Sequence, residues 1–134
     1  MLNRREMMEM LIGLLGMFST WRVSGATIDS SGQTHLLIQT SSVAGFQYYS
    51  GEAVWSRITV DDELELRRQP DNEYDENAIE VFWRQKKLGY VPASENLTVS
   101  RMMDRGQEFA ATIAEKNDSE IPWDCIEMNI YAVI

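Results

Sequence analysis

The chain has 134 residues, 44% of them hydrophobic, enough for one core of ordinary size and too little for a second folded domain. Its net charge is −9 and its pI about 4.5, which argues against a protein that coats duplex DNA, because that affinity comes from Lys and Arg neutralising phosphates. The single cysteine, Cys125, and single histidine, His35, exclude an intrachain disulfide and a cysteine-based zinc site and argue against a zinc hydrolase. Cys125 reads as a half-buried small hydrophobe and His35 as an exposed strand residue.

Residues 1–26 carry Arg4-Arg5, then the apolar run Met10 to Phe18, then the small residues Ser24-Gly25-Ala26. Two readings stay open. One is an export signal with twin-arginine character, which would make the protein exported or periplasmic. The other is an N-terminal helix with Met7, Met10, Leu11, Leu14 and Leu15 on one stripe, which leaves it cytoplasmic. The run is too short to span a hydrocarbon core, which needs about 20 helical residues. Residues 27–34, rich in Ser and Gly, read as a linker to a folded body at 35–134.

From His35 onward apolar residues recur with period two, the mark of strands with one buried face. Leu64 and Leu66 alternate with Glu63, Glu65 and Arg67. Ile79, Val81 and Trp83 share a face, as do Phe109, Ala111 and Ile113. Ile126, Met128, Ile130, Ala132 and Ile134 make the longest alternation, with a register that a one-residue slip would invert. Lys86-Lys87 marks a hairpin after Trp83, and Trp55 and Trp123 fall in loops. Val99, Met102 and Met103 predict a helix near residues 95–105, with Ser94 or Asn96 as N-cap and Gly106 as its stop. The expected fold is mainly β: a small, curled, OB-like antiparallel barrel of five to six strands with that one helix.

Three segments hold most of the polar-aromatic character: Val43-Ala44-Gly45-Phe46-Gln47-Tyr48-Tyr49, the stretch from Arg67 to Ile79 containing Arg68, Pro70, Asn72, Tyr74, Asp75 and Asn77, and Lys87-Leu88-Gly89-Tyr90-Val91-Pro92. In order and spacing these resemble the HIRAN family over most of the folded body. The resemblance implies a modified OB-type barrel that captures a free 3′ end of single-stranded DNA, with Tyr48 and Tyr49 holding terminal bases or sugars and Tyr74 and Asp75 completing the contact. It also implies that any motor activity belongs to a protein partner, because no Walker-type loop is present. Three positions depart from better-known DNA-end-binding members: Gln47 stands where they carry arginine, Tyr90 where they carry histidine, and Ala93 where they carry lysine. The local cations are Arg67, Arg68, Lys86 and Lys87, of which Arg68 and Lys87 join Gln47 and Tyr90 in the expected binding set.

The chemistry of such a site can be stated from the residues. Tyrosine faces stack on unpaired bases for about 1–3 kcal/mol per base, with little regard to sequence. Asp75 can accept a hydrogen bond from a terminal hydroxyl, whereas an internal phosphate at the same place would be repelled, so one carboxylate selects ends. Plainer roles stand beside these. On a regular strand Tyr48 and Tyr49 would point to opposite faces, one of them into the core; Tyr74 can pack under its loop; Asp75 can cap backbone N–H groups. Asp61, Asp62, Glu63, Asp71, Asp75 and Glu76 are the carboxylates a metal-dependent nuclease would use, but no base or nucleophile accompanies them. The expectation is a non-catalytic module with no cofactor. Its alternative is an exported envelope module that binds a protein or another ligand on the same fold. Asn96-Leu97-Thr98 also fits a glycosylation sequon.

Overall fold

A computed structural model of the chain describes residues 21–23 and 26–134, with side chains from residue 26 onward. The expectation for residues 1–26 lies outside the described residues, apart from the strand Trp21–Val23 and Ala26.

Among the described residues eight antiparallel strands form one sheet: β1 (Trp21–Val23), β2 (Ala26–Ile28), β3 (Thr34–Ser42), β4 (Glu63–Arg68), β5 (Ile79–Trp83), β6 (Lys86–Tyr90), β7 (Phe109–Lys116) and β8 (Ile126–Val133). Their order across the sheet is β1-β2-β3-β8-β7-β4-β5-β6. The six strands from β3 to β8 make the curled body that the alternation predicts. The additional pair, β1 and β2, lies outside β3, with Ala26 opposite Leu36 and Ile28 opposite Thr34. Part of the stretch read as a linker is therefore strand and turn. The turn is built by Asp29, whose Oδ1 accepts the N–H groups of Ser31 and Gln33 at 2.9 Å, and by Gly32 at φ 87°. Asp29 also engages His35, whose Nε2 lies 3.1 Å from Oδ2, so His35 is not merely exposed.

Register shifts at Leu37/Gln39, Val81/Phe82 and Ile113/Glu115 bend the strands and coil the sheet. The curl brings the residue just past the end of β3 beside β6. Ala44 and Tyr90 exchange hydrogen bonds of 2.8 and 2.9 Å there. The sheet is not closed by a continuous ladder; this single bridge spans the gap. It depends on Gly89, at φ 155°, because a Cβ at that position would overlap the Ala44 carbonyl oxygen.

The core fills the inside of the curl with Trp83, Ile79, Val81, Leu88, Ile113, Ile126, Met128 and Ile130, all buried. Strand β8 lies between β3 and β7, so Tyr131 is buried as well, although the alternation places it on the polar side. Ile134, counted with the buried set, follows the last strand and is 70% exposed. Cys125 is half-buried against the core, as expected.

The helix runs Leu97–Asp104, with Asn96 at the N-cap position. Beyond it Gly106 adopts φ 92°, its N–H donates to the Met103 carbonyl and that of Gln107 to Met102, the paired bonds that end a helix in a left-handed residue. The hairpin after Trp83 turns on Arg84 and Gln85 at φ 45° and 70°, which places both lysines at the start of β6 rather than in the turn.

The aromatic segment after β3 is not a strand. Gly45, at φ 75°, breaks the extended chain, Phe46–Tyr48 forms a 3-10 turn, and Gly51–Val54 forms one turn of α-helix. Phe46 is buried, and its ring covers Gly51 so closely that no side chain fits there. Tyr48 and Tyr49 therefore share a turn instead of opposite faces of a strand.

Candidate nucleic-acid interface

Strand β6 supplies the centre of the site. Lys87 and Tyr90 stand on its outer side, and Tyr49 reaches them from the turn, which is tied down by the Ser50 N–H bonding to the Lys87 carbonyl at 2.9 Å. The Lys87 ammonium lies 4.4 Å from the Tyr49 ring centre and 4.1 Å from that of Tyr90, and the two rings meet edge to face at 5.9 Å. Lys87 donates to the Tyr90 hydroxyl at 2.7 Å and pairs with Glu80 at 3.1 Å. The Tyr49 hydroxyl interacts with both Lys87 and Tyr90 as well, so Tyr49, Tyr90 and Glu80 all hold the ammonium. Burial pushes the Lys87 pKa down, but its bonds to Tyr90 and Glu80 outweigh it and hold the group above its usual range. Burial raises the Tyr49 phenol, so both groups keep their protons at neutral pH.

A chain of side-chain hydrogen bonds runs outward from this centre. The Tyr90 hydroxyl donates to Gln69 Oε1 at 2.7 Å, and Asn72 Nδ2 donates to the same oxygen at 2.8 Å. Asn72 Oδ1 in turn accepts the N–H groups of Tyr74 and Asp75 at 2.8 and 3.0 Å and so shapes the loop that carries them. Asp75 Oδ1 accepts the Asn77 N–H at 2.9 Å, and Oδ2 accepts Asn96 Nδ2 at 2.7 Å. Lys87, Tyr90, Tyr49, the Tyr74-Asp75 loop and the start of the helix are thus one connected assembly. Gln69, Asn72, Glu80 and Asn96 are members that sequence reasoning did not single out. Gln69 and Asn72 lay within the quoted motif, Asn96 was read only as a helix cap and a sequon, and Glu80 gave no local signal.

The tyrosines present their faces outward: Tyr48 is 76% exposed, Tyr49 40% and Tyr74 93%, and none is a core residue. Asp75 does cap the backbone, and it also anchors Asn96; each carboxylate oxygen retains a lone pair for a further donor.

Two expected members stand apart. Arg68 makes a bidentate pair with Asp104 at 2.8 and 3.1 Å and donates to the carbonyls of Ala78 and Glu76 at 2.7 and 3.0 Å. Its guanidinium clamps β4, the 69–78 loop and the helix together, which makes it a structural residue. Gln47 lines a groove with Phe46 and Trp55 rather than the tyrosine cluster. Ala93 is exposed and brings no charge.

The acidic residues do not assemble a metal centre: among the described residues no group of His, Cys, Asp or Glu is placed to hold an ion. Asp62 is committed to structure, its Oδ2 accepting Trp83 Nε1 and the Thr59 N–H at 2.9 Å. Asn96 of the sequon is 1% exposed and out of reach of glycosylation in the folded chain. No helix among the described residues is long and apolar enough to cross a membrane.

Comparison with known proteins gives the same outline. The profile of the HIRAN domain family matches residues 38–134. A crystal structure of a protein from Lactobacillus plantarum aligns with a TM-score of 0.69 and 26% identity over 76% of this chain and 98% of that one. The HIRAN domain of human HLTF aligns with a TM-score of 0.56 and 19% identity over 78% of this chain and 79% of that one, a likeness of fold. A search of curated proteins finds no match.

Proposed function

The chain belongs to the HIRAN domain family, a family of nucleic-acid-binding modules, and from that premise we propose that it grips the 3′ end of single-stranded DNA without performing a reaction on it. The observation that carries this reading is the pair of Tyr49 and Tyr90 rings around the Lys87 ammonium, with Tyr48 exposed on the same turn as Tyr49. Exposed rings beside a fixed cation suit bases and one phosphate of a single strand, and stacking is tolerant of sequence.

Asp75 supplies the preference for an end. Its carboxylate is fixed by Asn77 and Asn96, so it cannot swing away from an internal phosphate, and a terminal hydroxyl is the partner it accepts. Tyr90 serves the same site indirectly: in the place of a histidine, it holds Lys87 at 2.7 Å. With Arg68 committed to Asp104, Lys87 carries the cationic role, which fits weak, end-directed binding by an acidic protein.

The test is fluorescence anisotropy with a short single strand ending in 3′-hydroxyl, compared with the same strand ending in 3′-phosphate, at low and moderate salt. Saturable binding confined to the hydroxyl end and weakened in Tyr48→Ala supports the reading. Equal affinity for both ends removes the role of Asp75, and no binding to either removes the function.

A further inference from the structure

The Phe46–Tyr48 turn packs against a second 3-10 turn, Pro122–Asp124, and a groove of about 440 Å³ lies between them. Its floor is apolar, made by Phe46, Trp55, Pro122 and Cys125, and Glu52, Asp118 and Glu120 stand on its rim. Trp123 beside it is 58% exposed and Ile121 is 44% exposed. On the other side of Trp123 a smaller hollow includes Asp124 and Glu127, and Ser119 borders both hollows, so they form one continuous surface.

The charge on this surface is one-sided. Glu52, Asp118, Glu120 and Asp124 are exposed, whereas the nearby cation, Lys116, turns inward. Its ammonium donates to the carbonyls of Trp55 and Ile58 at 2.6 and 3.0 Å and lies 4.6 Å from the Trp55 ring centre. Glu115 and Glu127 face each other directly across β7 and β8. Hydrogen bonding to Glu115 holds the Glu127 carboxyl above its usual range, and burial and the charges of Glu115 and Asp124 add to that. Carboxylates are crowded here with no outward cation among these residues to relieve them.

An exposed indole and isoleucine next to an apolar groove favour a partner that brings its own apolar side chain. The rim selects the sign of the rest. A second copy of this chain, itself at −9, and a nucleic-acid strand both bring negative charge and are disfavoured. We propose that the Phe46–Trp123 groove docks a basic segment of a partner protein, with an aliphatic or aromatic side chain seated in the groove and Lys or Arg residues on the acidic rim. The proposal is independent of the DNA-end reading, and it places protein and nucleic acid on two sides of one turn: Gln47 borders the groove while Tyr49 faces Lys87.

The test uses the full chain and a fluorescent synthetic peptide with Arg and Lys flanking a Leu-Trp pair. Two control peptides replace the pair by Ser or the cations by Glu. Saturable, salt-sensitive binding of the first peptide alone is expected. Affinity should fall at least about tenfold in Trp123→Ser and in the double variant Glu120→Lys/Asp124→Lys, whose sites are exposed, and stay unchanged in Glu65→Lys, which alters charge on a distant strand. Equal binding of the control peptides, equal loss in Glu65→Lys, or no binding at all overturns the proposal. Oligonucleotide binding by the charge-neutral Trp123→Ser, measured in parallel, should not change, so failure here and failure of the DNA reading are told apart.

Discussion

Asp75 Oδ2 and Asn96 Nδ2 meet at 2.7 Å across 21 residues of sequence, joining the loop of the candidate site to the N-terminus of its helix. Asn96 is 1% exposed, so removing its partner leaves a buried amide donor without a bond. Asp75→Ala is expected to destabilise the fold by about 1–3 kcal/mol, seen as a lower midpoint in urea or thermal melts. A variant as stable as the parent would mean that the carboxylate serves only the ligand. Loss of DNA binding in this variant is therefore informative only at temperatures where it remains folded.

Lys87, the cation of the proposed site, and Arg68, committed to Asp104 and two carbonyls, can be told apart by experiment. Lys87→Gln should weaken single-strand binding and lower the slope of log affinity against log salt by about 0.7, the contribution of one phosphate on a single strand. Arg68→Gln should leave that slope unchanged and lower stability by about 1–3 kcal/mol, because the Ala78 carbonyl keeps only the Gln69 N–H, the Glu76 carbonyl loses its Arg68 bond, and the helix loses its tie to β4. The reverse pattern would return Arg68 to the binding surface.

The strands of this fold were legible because each buries one face: Leu64, then Ile79-Val81-Trp83, then Ala111-Ile113, then Ile126, Met128, Ile130 and Ala132 sit where period two puts them, with Tyr131 the exception. The helix was legible from Val99 and Met103 and from its stop at Gly106. The turn at Phe46–Tyr48 was not, because its conformation is set by Gly45 and by Phe46 packing over Gly51, a contact that aromatic-rich composition hides behind strand propensity. The strand β2 hairpin carried an Asp29-Ser30-Ser31-Gly32 turn signal, yet its Ser and Gly content also fits a linker. Of the residues proposed for the site, the motifs name Tyr49, Lys87, Tyr90 and the Tyr74-Asp75 loop, which one hydrogen-bonded assembly joins. The role of Arg68 was not, since Asp104 meets it from a helix 36 residues away.

Gly89→Ala tests the bridge that spans the open sheet. The added Cβ would collide with the Ala44 carbonyl oxygen, and φ 155° is strained for any side chain, so the Ala44–Tyr90 hydrogen bonds cannot persist. A loss of about 3 kcal/mol or more is expected in chemical denaturation. DNA binding should fall with it even under folding conditions, because Tyr49 and Tyr90 are held together across that bridge. Near-parental stability would show that the gap tolerates opening.

Glu127 gives the chain a pH dependence of defined sign. Its carboxyl titrates above the ordinary value of 4.5 in the folded state, through its hydrogen bond with Glu115, burial and nearby negative charge. A raised carboxyl stabilises the fold while protonated, and that contribution is lost as pH rises through the folded-state value. Glu127→Gln should therefore melt about 2 °C higher than the parent at neutral pH, with the gap closing below pH 4.5. A gap that is constant across that range would assign the effect to packing instead of titration.

Tyr48 and Tyr74 offer the cleanest separation of binding from folding, since their side chains are 76% and 93% exposed. Truncating either to Ala removes little buried surface, and stability should change by less than about 0.5 kcal/mol. If bases stack on them, each truncation weakens single-strand affinity by about 1–3 kcal/mol, roughly fivefold to more than a hundredfold, and replacement by Phe restores most of it because the ring face is kept. Restoration by Phe at Tyr48 but not at Tyr74 would assign the Tyr74 hydroxyl a hydrogen bond to the terminal nucleotide. Unchanged affinity in both Ala variants would take the stacking surface away from these loops and leave Tyr49 and Lys87 as the place where a strand can be held.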